Sequence, residues 1–320
     1  MQNEDSATSS ISICAVVVTF NRKELLTECL TALSNQTRRL NEIIVIDNAS
    51  SDGTEALFKA QFLDVTYLRL PENIGGAGGF HEGMKLAYEK GHDWIWVMDD
   101  DTVAMADALE KLASSPAMLQ DKVYALSSAV LDRDRRFLQW CRSLFDFRKL
   151  KETPIDADRY RDEYFQMDTT SFVGLLVSRR AVKDIGLPLK ELFIHFDDCE
   201  YSLRMRQKGI ILTVPESKVF HPPGPLDPGT GKATKWLRPS GWQRYYETRN
   251  QIYVYRKYSS PGSFFYRRSF YTKIGRGLAY SVLQTLVFRE YRLQSLRIRL
   301  CGTWDGLRGK LGKNNNFLPQ

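Results

Sequence analysis

Residues 11–19, ISICAVVVT, are apolar at almost every position and rich in β-branched side chains. A strand of this kind has no face to turn to water, so it belongs inside a sheet covered on both sides, as in parallel α/β sheets. In the following KELLTECLTALSNQ, Leu25, Leu26, Cys29, Leu30 and Leu33 return at helical spacing, which predicts an amphipathic helix. A second apolar run, EIIVID at 42–47, is cut off by the turn-forming NASSDG and leads to a helix expected over 54–62. A third strand is expected over 65–70 and a fourth over 94–98, with the glycine-rich NIGGAGGF (73–80) between them, ahead of a helix near 83–90.

This alternation implies right-handed crossovers and a mostly parallel, doubly wound α/β sheet whose ligand crevice lies at the carboxyl ends of the strands. Residues 19–22, 47–53, 73–80 and 99–101 all fall at such ends and should converge. Beyond Pro116 the pattern loosens. Strands over 123–130 and 169–178, a helix over 179–185 closed by Gly186, a helix from Asp197 to near Gly209, and short strands over 210–214 and 218–221 are legible. Residues 132–168 show no clean period, and helices are expected from 242 to the end.

Composition removes several classes. A chain of 320 residues, 43% hydrophobic and 26% charged, can bury a core and is not a disordered protein. Five cysteines, odd in number and never spaced CxxC, predict neither a disulfide framework nor a zinc knuckle, and fit a reducing compartment. The start MQNEDSATSS is unlike a signal peptide, and the apolar stretch at 278–288 is short of the roughly 20 residues that span a bilayer, so a cytoplasmic location is expected. The net charge of +7 is uneven: residues 260–320 carry eleven Lys and Arg against Glu290 and Asp305, leaving the remainder slightly acidic. The first turn reads TFNR instead of GxGxxG, which argues against a dinucleotide oxidoreductase.

Asp99, Asp100 and Asp101 follow a buried strand, where unneutralised charges repel; strand alternation puts Asp99 and Asp101 on one side. A divalent cation, Mn²⁺ or Mg²⁺, bridging to substrate phosphates would resolve the repulsion, and a solvated strand end is the competing explanation. The glycines of 73–80 allow close backbone approach to a ligand or simply make a strand-to-helix turn. Asp197 and Glu200 have capping-box spacing, which leaves Asp198 available as a general base. His221, ahead of Pro222, is either an ordinary partly buried histidine or a third metal ligand.

In combination, VVVTFNR, EIIVIDNASSDGT, ENIGGAGGF, WIWVMDDD, FIHFDDCEY and VFH, in that order, resemble glycosyltransferase family 2, inverting enzymes of GT-A fold, over about 11–222. The pattern is similar to the galactofuranosyltransferase branch, and rhamnosyltransferases share most of it. The resemblance assigns Thr19, Asn21 and Asp47 to the nucleotide, and the loop of Asn73, Gly75 and Gly76 to ribose and pyrophosphate. It makes Asp99, Asp101 and His221 metal ligands, places Asp100 and His195 by the donor sugar, and gives Asp197 a sugar or acceptor contact and Asp198 the role of base. The chain is then expected to divide into a disordered 1–10, a nucleotide-sugar half 11–130, an acceptor half 131–222, a Pro- and Gly-rich loop or lid 223–241 and a basic amphipathic helical region 242–320. The implied donor is UDP-galactofuranose, or dTDP-rhamnose, and the implied acceptor a glycan or polyprenyl-diphosphate-linked sugar in cell-surface polysaccharide synthesis. The basic, aromatic 260–320 would then rest on an anionic membrane at the inner face of the plasma membrane; no nucleic-acid motif accompanies it. A nucleotidyltransferase and a non-catalytic sugar-nucleotide or glycan-binding module are the competing functions.

Overall fold

The computed structural model describes residues 11–222, 241–258, 264–287 and 293–318. The expected disordered 1–10 and nearly all of the loop or lid over 223–241 lie outside them. The first half alternates β1 (Ile13–Thr19), α1 (Lys23–Ser34), β2 (Glu42–Asp47), α2 (Thr54–Gln61), β3 (Thr66–Arg69), α3 (Gly75–Glu89) and β4 (Trp94–Asp99). There follow β5 (Val103–Ala104), α4 (Ala108–Ala113), β6 (Val123–Leu131), β7 (Arg142–Asp146), β8 (Lys151–Pro154), β9 (Phe165–Met167), β10 (Thr169–Thr170), β11 (Leu175–Ser178), α5 (Arg179–Ile185), α6 (Asp197–Met205) and β12 (Ile210–Phe220). Helices α7 (Gly241–Tyr258), α8 (Phe264–Val287) and α9 (Leu293–Arg308) complete the chain.

The main sheet has nine strands in the order β3-β2-β1-β4-β11-β6-β12-β5, with β9 on β12. β1 pairs parallel with both β2 and β4. The chain thus leaves β1 to one side and returns for β4 on the other, so the crevice beyond Thr19 and Asp99 is a topological switch point. β11 enters antiparallel between β4 and β6, and β12 runs parallel to β6.

Alternation along β1 divides the two cores. Ile13, Ala15 and Val17 face a layer with Leu26, Leu30 and Leu33 of α1, whereas Cys14, Val16 and Val18 face Phe80 and Met84 of α3. All six are buried. At about 1.5–3 kcal/mol for each large buried side chain, this explains why the run tolerates no polar position.

Three local expectations give way. The helix expected near 83 begins at Gly75, because the glycines serve packing: a Cβ at Gly79 would strike Val18 and one at Gly83 would strike Val16. The short strands over 210–214 and 218–221 are one strand, β12, with a register shift between Val214 and Lys218. Pro215 lies in that interval and has no N–H for the ladder. The capping box at Asp197 and Glu200 does not form: Phe196 caps α6 in the left-handed region at φ 65° without a side-chain bond. Glu200 is fully buried and instead accepts from Arg204 Nη2 (2.8 Å), Lys257 Nζ (2.9 Å) and the Tyr258 hydroxyl, tying α6 to α7.

The aperiodic 132–168 holds β7 and β8 and the strand β9 added to β12; β10, the first two residues of the strand expected over 169–178, completes a three-stranded sheet β10-β7-β8, and only 175–178 joins the main sheet as β11. The five described cysteines are free thiols, and among the described residues no helix is long and apolar enough to cross a membrane.

Candidate active site

The crevice forms where β1 and β4 end. Thr19, 1% exposed, donates Oγ1–H to Asp100 Oδ2 at 2.7 Å. Arg22 Nη1 lies 3.3 Å from Asp100 Oδ1 and 3.0 Å from Asp101 Oδ2. Burial pushes Asp100 up to about 6 against the pull of Arg22 and Thr19. Burial, then the Asp101 charge, pushes Asp99 up to about 7.

On the far side of Asp101 stands His221, its Nε2 3.2 Å from Oδ1. Burial alone would raise Asp101, but His221 and Arg22 outweigh it and hold the carboxyl below its usual range. Burial would lower His221, yet Asp101 and Asp99 raise it. One ligand atom each from Asp99, Asp101 and His221 lies within 4.8 Å of the other two. Two details suit a cation there. Asp101 Oδ1 is buried and accepts no well-directed hydrogen bond. His221 Nδ1 is 2.8 Å from the Pro222 carbonyl, which can only accept, so in the neutral ring the lone pair is on Nε2, facing Asp101. Two carboxylates and an imidazole make a donor set of the kind Mn²⁺ accepts.

The nucleotide candidates line the neighbouring strand ends. Asn21, at φ 54°, accepts from Ser51 N at 2.7 Å while its own N–H donates to Ser50 Oγ at 2.9 Å. Asp47 is fully buried and accepts from Ser50 N at 2.8 Å and from the Tyr67 hydroxyl. Asn73 Oδ1 accepts from Gly75 N at 2.8 Å. Gly75, at φ 80°, sits against the Phe193 carbonyl, where a Cβ would collide; Gly76 has nothing within 4 Å of a Cβ and faces open space. Of the two, only Gly76 leaves room for a ligand. Asn48, buried and not singled out by the sequence pattern, ties this loop to β2 through Ile74 N (3.2 Å) and Gly75 O (3.3 Å).

The acidic pair opens α6, and the Asp99 charge adds to what raises Asp197. Burial, then Asp198, pushes Asp197 well above its usual range, and burial pushes Asp198 up to about 7. Asp198 Oδ1 accepts from Cys199 N at 2.6 Å. His195 is driven down to about 4 by burial and is neutral at pH 7.

The turn before this pair is strained. Phe193, His195 and Phe196 have φ of 66°, 64° and 65°, each costing about 1–3 kcal/mol for a residue with a side chain. Fully buried Asn250 of α7 donates Nδ2–H to the carbonyls of Leu192 (2.9 Å), Ile194 (2.9 Å) and His195 (2.8 Å). Arg249 donates to Glu191 O (3.3 Å) and Leu192 O (3.0 Å). Below the site, buried Arg142 donates to the carbonyls of Ser128, Cys141 and Val173, and its charge lowers Asp198. No motif flagged Arg142, Arg249 or Asn250; the signal for the last two is a polar pair within an otherwise aromatic helix face, YYETRN.

The family model for Glycosyl transferase family 2 matches residues 14–186. Galactofuranosyltransferase GlfT1 of Mycolicibacterium smegmatis is 31% identical over 66% of this chain and 71% of its own. GlfT1 of Mycobacterium tuberculosis is 31% identical over 78% and 83%. The dTDP-rhamnosyl transferase RfbF of Shigella flexneri is 25% identical over 94% and 97%. Among solved structures, GalNAc-T7 with UDP, GalNAc and Mn²⁺ superposes at TM-score 0.61 and 16% identity, over 94% of this chain and 56% of that one. Pyrobaculum calidifontis PcManGT with GDP-Man and Mn²⁺ gives TM-score 0.53 at 15% identity, over 94% and 89%. The shared architecture is the GT-A-like sheet with its helical C-terminal part, and with the family model spanning more than half of its residues the chain belongs to glycosyltransferase family 2.

Proposed function

We propose that the protein is an inverting, metal-dependent glycosyltransferase that moves galactofuranose from UDP-galactofuranose to a hydroxyl of a glycan or lipid-linked acceptor. The carrying observation is the cluster of Asp99, Asp101 and His221, whose ligand atoms lie within 4.8 Å of one another; beside it stands a buried carboxylate raised to about 7, Asp198, whose neighbour Asp197 feels the Asp99 charge. In the reaction an acceptor oxygen forms a bond to the anomeric carbon from the side opposite the diphosphate, and Asp198 takes the hydroxyl proton. The bond from the anomeric carbon to phosphate oxygen breaks with its electron pair on the leaving nucleoside diphosphate. A divalent cation held by the triad would supply charge neutralisation at that diphosphate. Thr19 fixes Asp100, while Asn21, Asp47 and the Asn73–Gly76 backbone are assigned to the nucleotide, and His195, Asp100 and Asp197 to the sugars. A rhamnosyl donor, dTDP-rhamnose, is the second reading, favoured by the near full-length match to RfbF.

A peripheral place on the inner leaflet belongs to the same proposal. On α9, Leu293 (76%), Leu300 (48%) and Trp304 (61%) are exposed along one stripe with Arg297 and Arg308. Tyr280, Leu283 and Leu286 are exposed on α8. Such faces rest in anionic interfaces.

The test is incubation of the purified chain with Mn²⁺ and UDP-galactofuranose or dTDP-rhamnose. Slow release of free sugar and nucleoside diphosphate identifies the donor. Failure to turn over any sugar nucleotide in a broad panel, with or without glycan acceptors, would leave the binding-module alternative.

A further inference from the structure

We infer that Asn250, seconded by Arg249, is a positioning residue for the base, so that α7 belongs to the catalytic machinery although it lies outside the matched family region. The inference rests on the transferase reading above.

Three of the four residues immediately before Asp197 carry side chains in the left-handed region. L-residues return to ordinary backbone unless their surroundings over-determine them. Here three carbonyls of the turn converge on one amide group. Asn250 Oδ1 accepts from Arg249 Nε at 2.8 Å, which turns Nδ2 toward the carbonyls of Leu192, Ile194 and His195. Two amide protons thus serve three carbonyls that an ordinary helical or extended backbone would not point at one atom. Arg249, 1% exposed, is itself fixed by Gly312 O and by the Tyr245 and Tyr246 rings 5.4 and 4.8 Å from its guanidinium carbon.

The same turn reaches the donor side. Phe193 O accepts from Ala77 N at 3.1 Å, Gly75 lies against that carbonyl, and the Phe193 ring stacks on Tyr246 at 4.8 Å. The clamp therefore fixes the direction in which α6 starts, with Asp198 on its first turn, whereas the glycine loop keeps its own ties through Asn48 and Asn73. A residue serving packing alone would have no reason to gather three carbonyls next to the base.

The experiment compares the full-length wild type with Asn250→Ala and with Asn250→Ala/Phe196→Gly. Calorimetry measures UDP binding with Mn²⁺; turnover is nucleotide release from whichever of UDP-galactofuranose and dTDP-rhamnose the wild type consumes. Asn250→Ala is expected to bind UDP within about twofold of wild type but to lose about a hundredfold in kcat, with KM little changed. Its acid limb in the kcat–pH profile should move to lower pH as water reaches Asp198. Glycine at 196 accepts the left-handed backbone unaided and should restore part of the rate. Wild-type kcat in Asn250→Ala, or UDP binding lost in proportion to turnover with the acid limb unmoved, would overturn the inference. Should Asn250→Ala not fold, Asn250→Ser with hydrogen exchange replaces it: amides 194–199 must exchange faster while β1 and β4 stay protected, and uniform acceleration rejects the clamp. A wild type that consumes no sugar nucleotide refutes the transferase reading instead, and the exchange experiment still tests whether Asn250 holds the turn.

Discussion

Thr19, the last residue of β1, gives its hydroxyl hydrogen to Asp100, one residue past β4, at 2.7 Å. The bond crosses the switch point between two parallel neighbours and fixes the middle acid of three. Asp99 and Asp101 bring their carboxylates to His221 instead, the arrangement the proposed metal site would use.

A metal-binding prediction follows from that arrangement. Mn²⁺ should raise the melting temperature of the wild type and not that of Asp101→Ala, since a ligand stabilises the state that binds it. The affinity should weaken as pH falls through the raised range of His221, because a proton on Nε2 competes for the metal's position. Calorimetric titration at several pH values checks both, and EDTA should abolish turnover. An undiminished rate for Asp101→Ala in metal-free buffer would remove the metal from the mechanism.

For the base, Asp198→Asn keeps the shape and should keep donor binding while kcat falls by about 10²–10⁴-fold. Burial raises the folded carboxyl to about 7, so the wild-type rate should climb as pH passes neutrality and fail below it. Stability runs the other way. The folded state holds this proton more tightly than the unfolded chain, so Asp198 contributes a loss of stability as pH rises from about 4 toward 7. Thermal melts of wild type and Asp198→Asn across that window measure the difference.

The glycine loop separates packing from ligand space. Gly79→Ala forces a methyl against Val18 and should cost about 1–3 kcal/mol of stability. Gly76→Ala meets nothing, so it should fold as wild type. If it also binds UDP and Mn²⁺ as wild type, the donor does not pass over Gly76.

Glu200 carries no catalytic assignment, yet its carboxylate is fully buried among Arg204, Lys257 and Tyr258. Removing one member of a buried charge cluster costs about 3–5 kcal/mol. Glu200→Ala should therefore lower the denaturation midpoint sharply, and Glu200→Gln less.

Membrane contact is best tested by point changes. Removing everything after Tyr258 would also remove the Asp305, Gly312 and Asn314 contacts to Tyr245, Arg249 and Tyr246. Trp304→Ser with Arg297→Ser should instead reduce co-sedimentation with phosphatidylglycerol vesicles while leaving UDP binding intact. Wild-type binding should rise with anionic lipid and fall with salt; indifference to both would leave these helices as packing alone.

β1, β2 and β4 were readable because they are buried on both faces, and a run such as residues 11–19 can be little else. The acids at 99–101 and 197–198 were readable because charge at the end of a buried element needs a reason. The strands within 132–168 were not, because they are three to five residues long and the buried Arg142 breaks any apolar alternation. Asn250 was invisible for a different reason: its importance lies in carbonyl groups more than fifty residues earlier, whose directions depend on backbone angles that no side-chain pattern encodes.

Helix α9 lies against α7 through Gly302 and Gly306, where a Cβ would meet the carbonyls of Tyr245 and Arg249. That seam limits how the molecule can be recombined. A graft that borrows the chain up to the last family-matched residue, 186, takes the ends of β1, β2 and β4 but neither the acids at 197–198 nor the turn before them. One that stops after β12 takes the acids without what holds them. The smallest unit that keeps the turn with its anchors includes the final helix, so an exchange of segments between relatives should succeed only when the two ends of the chain travel together.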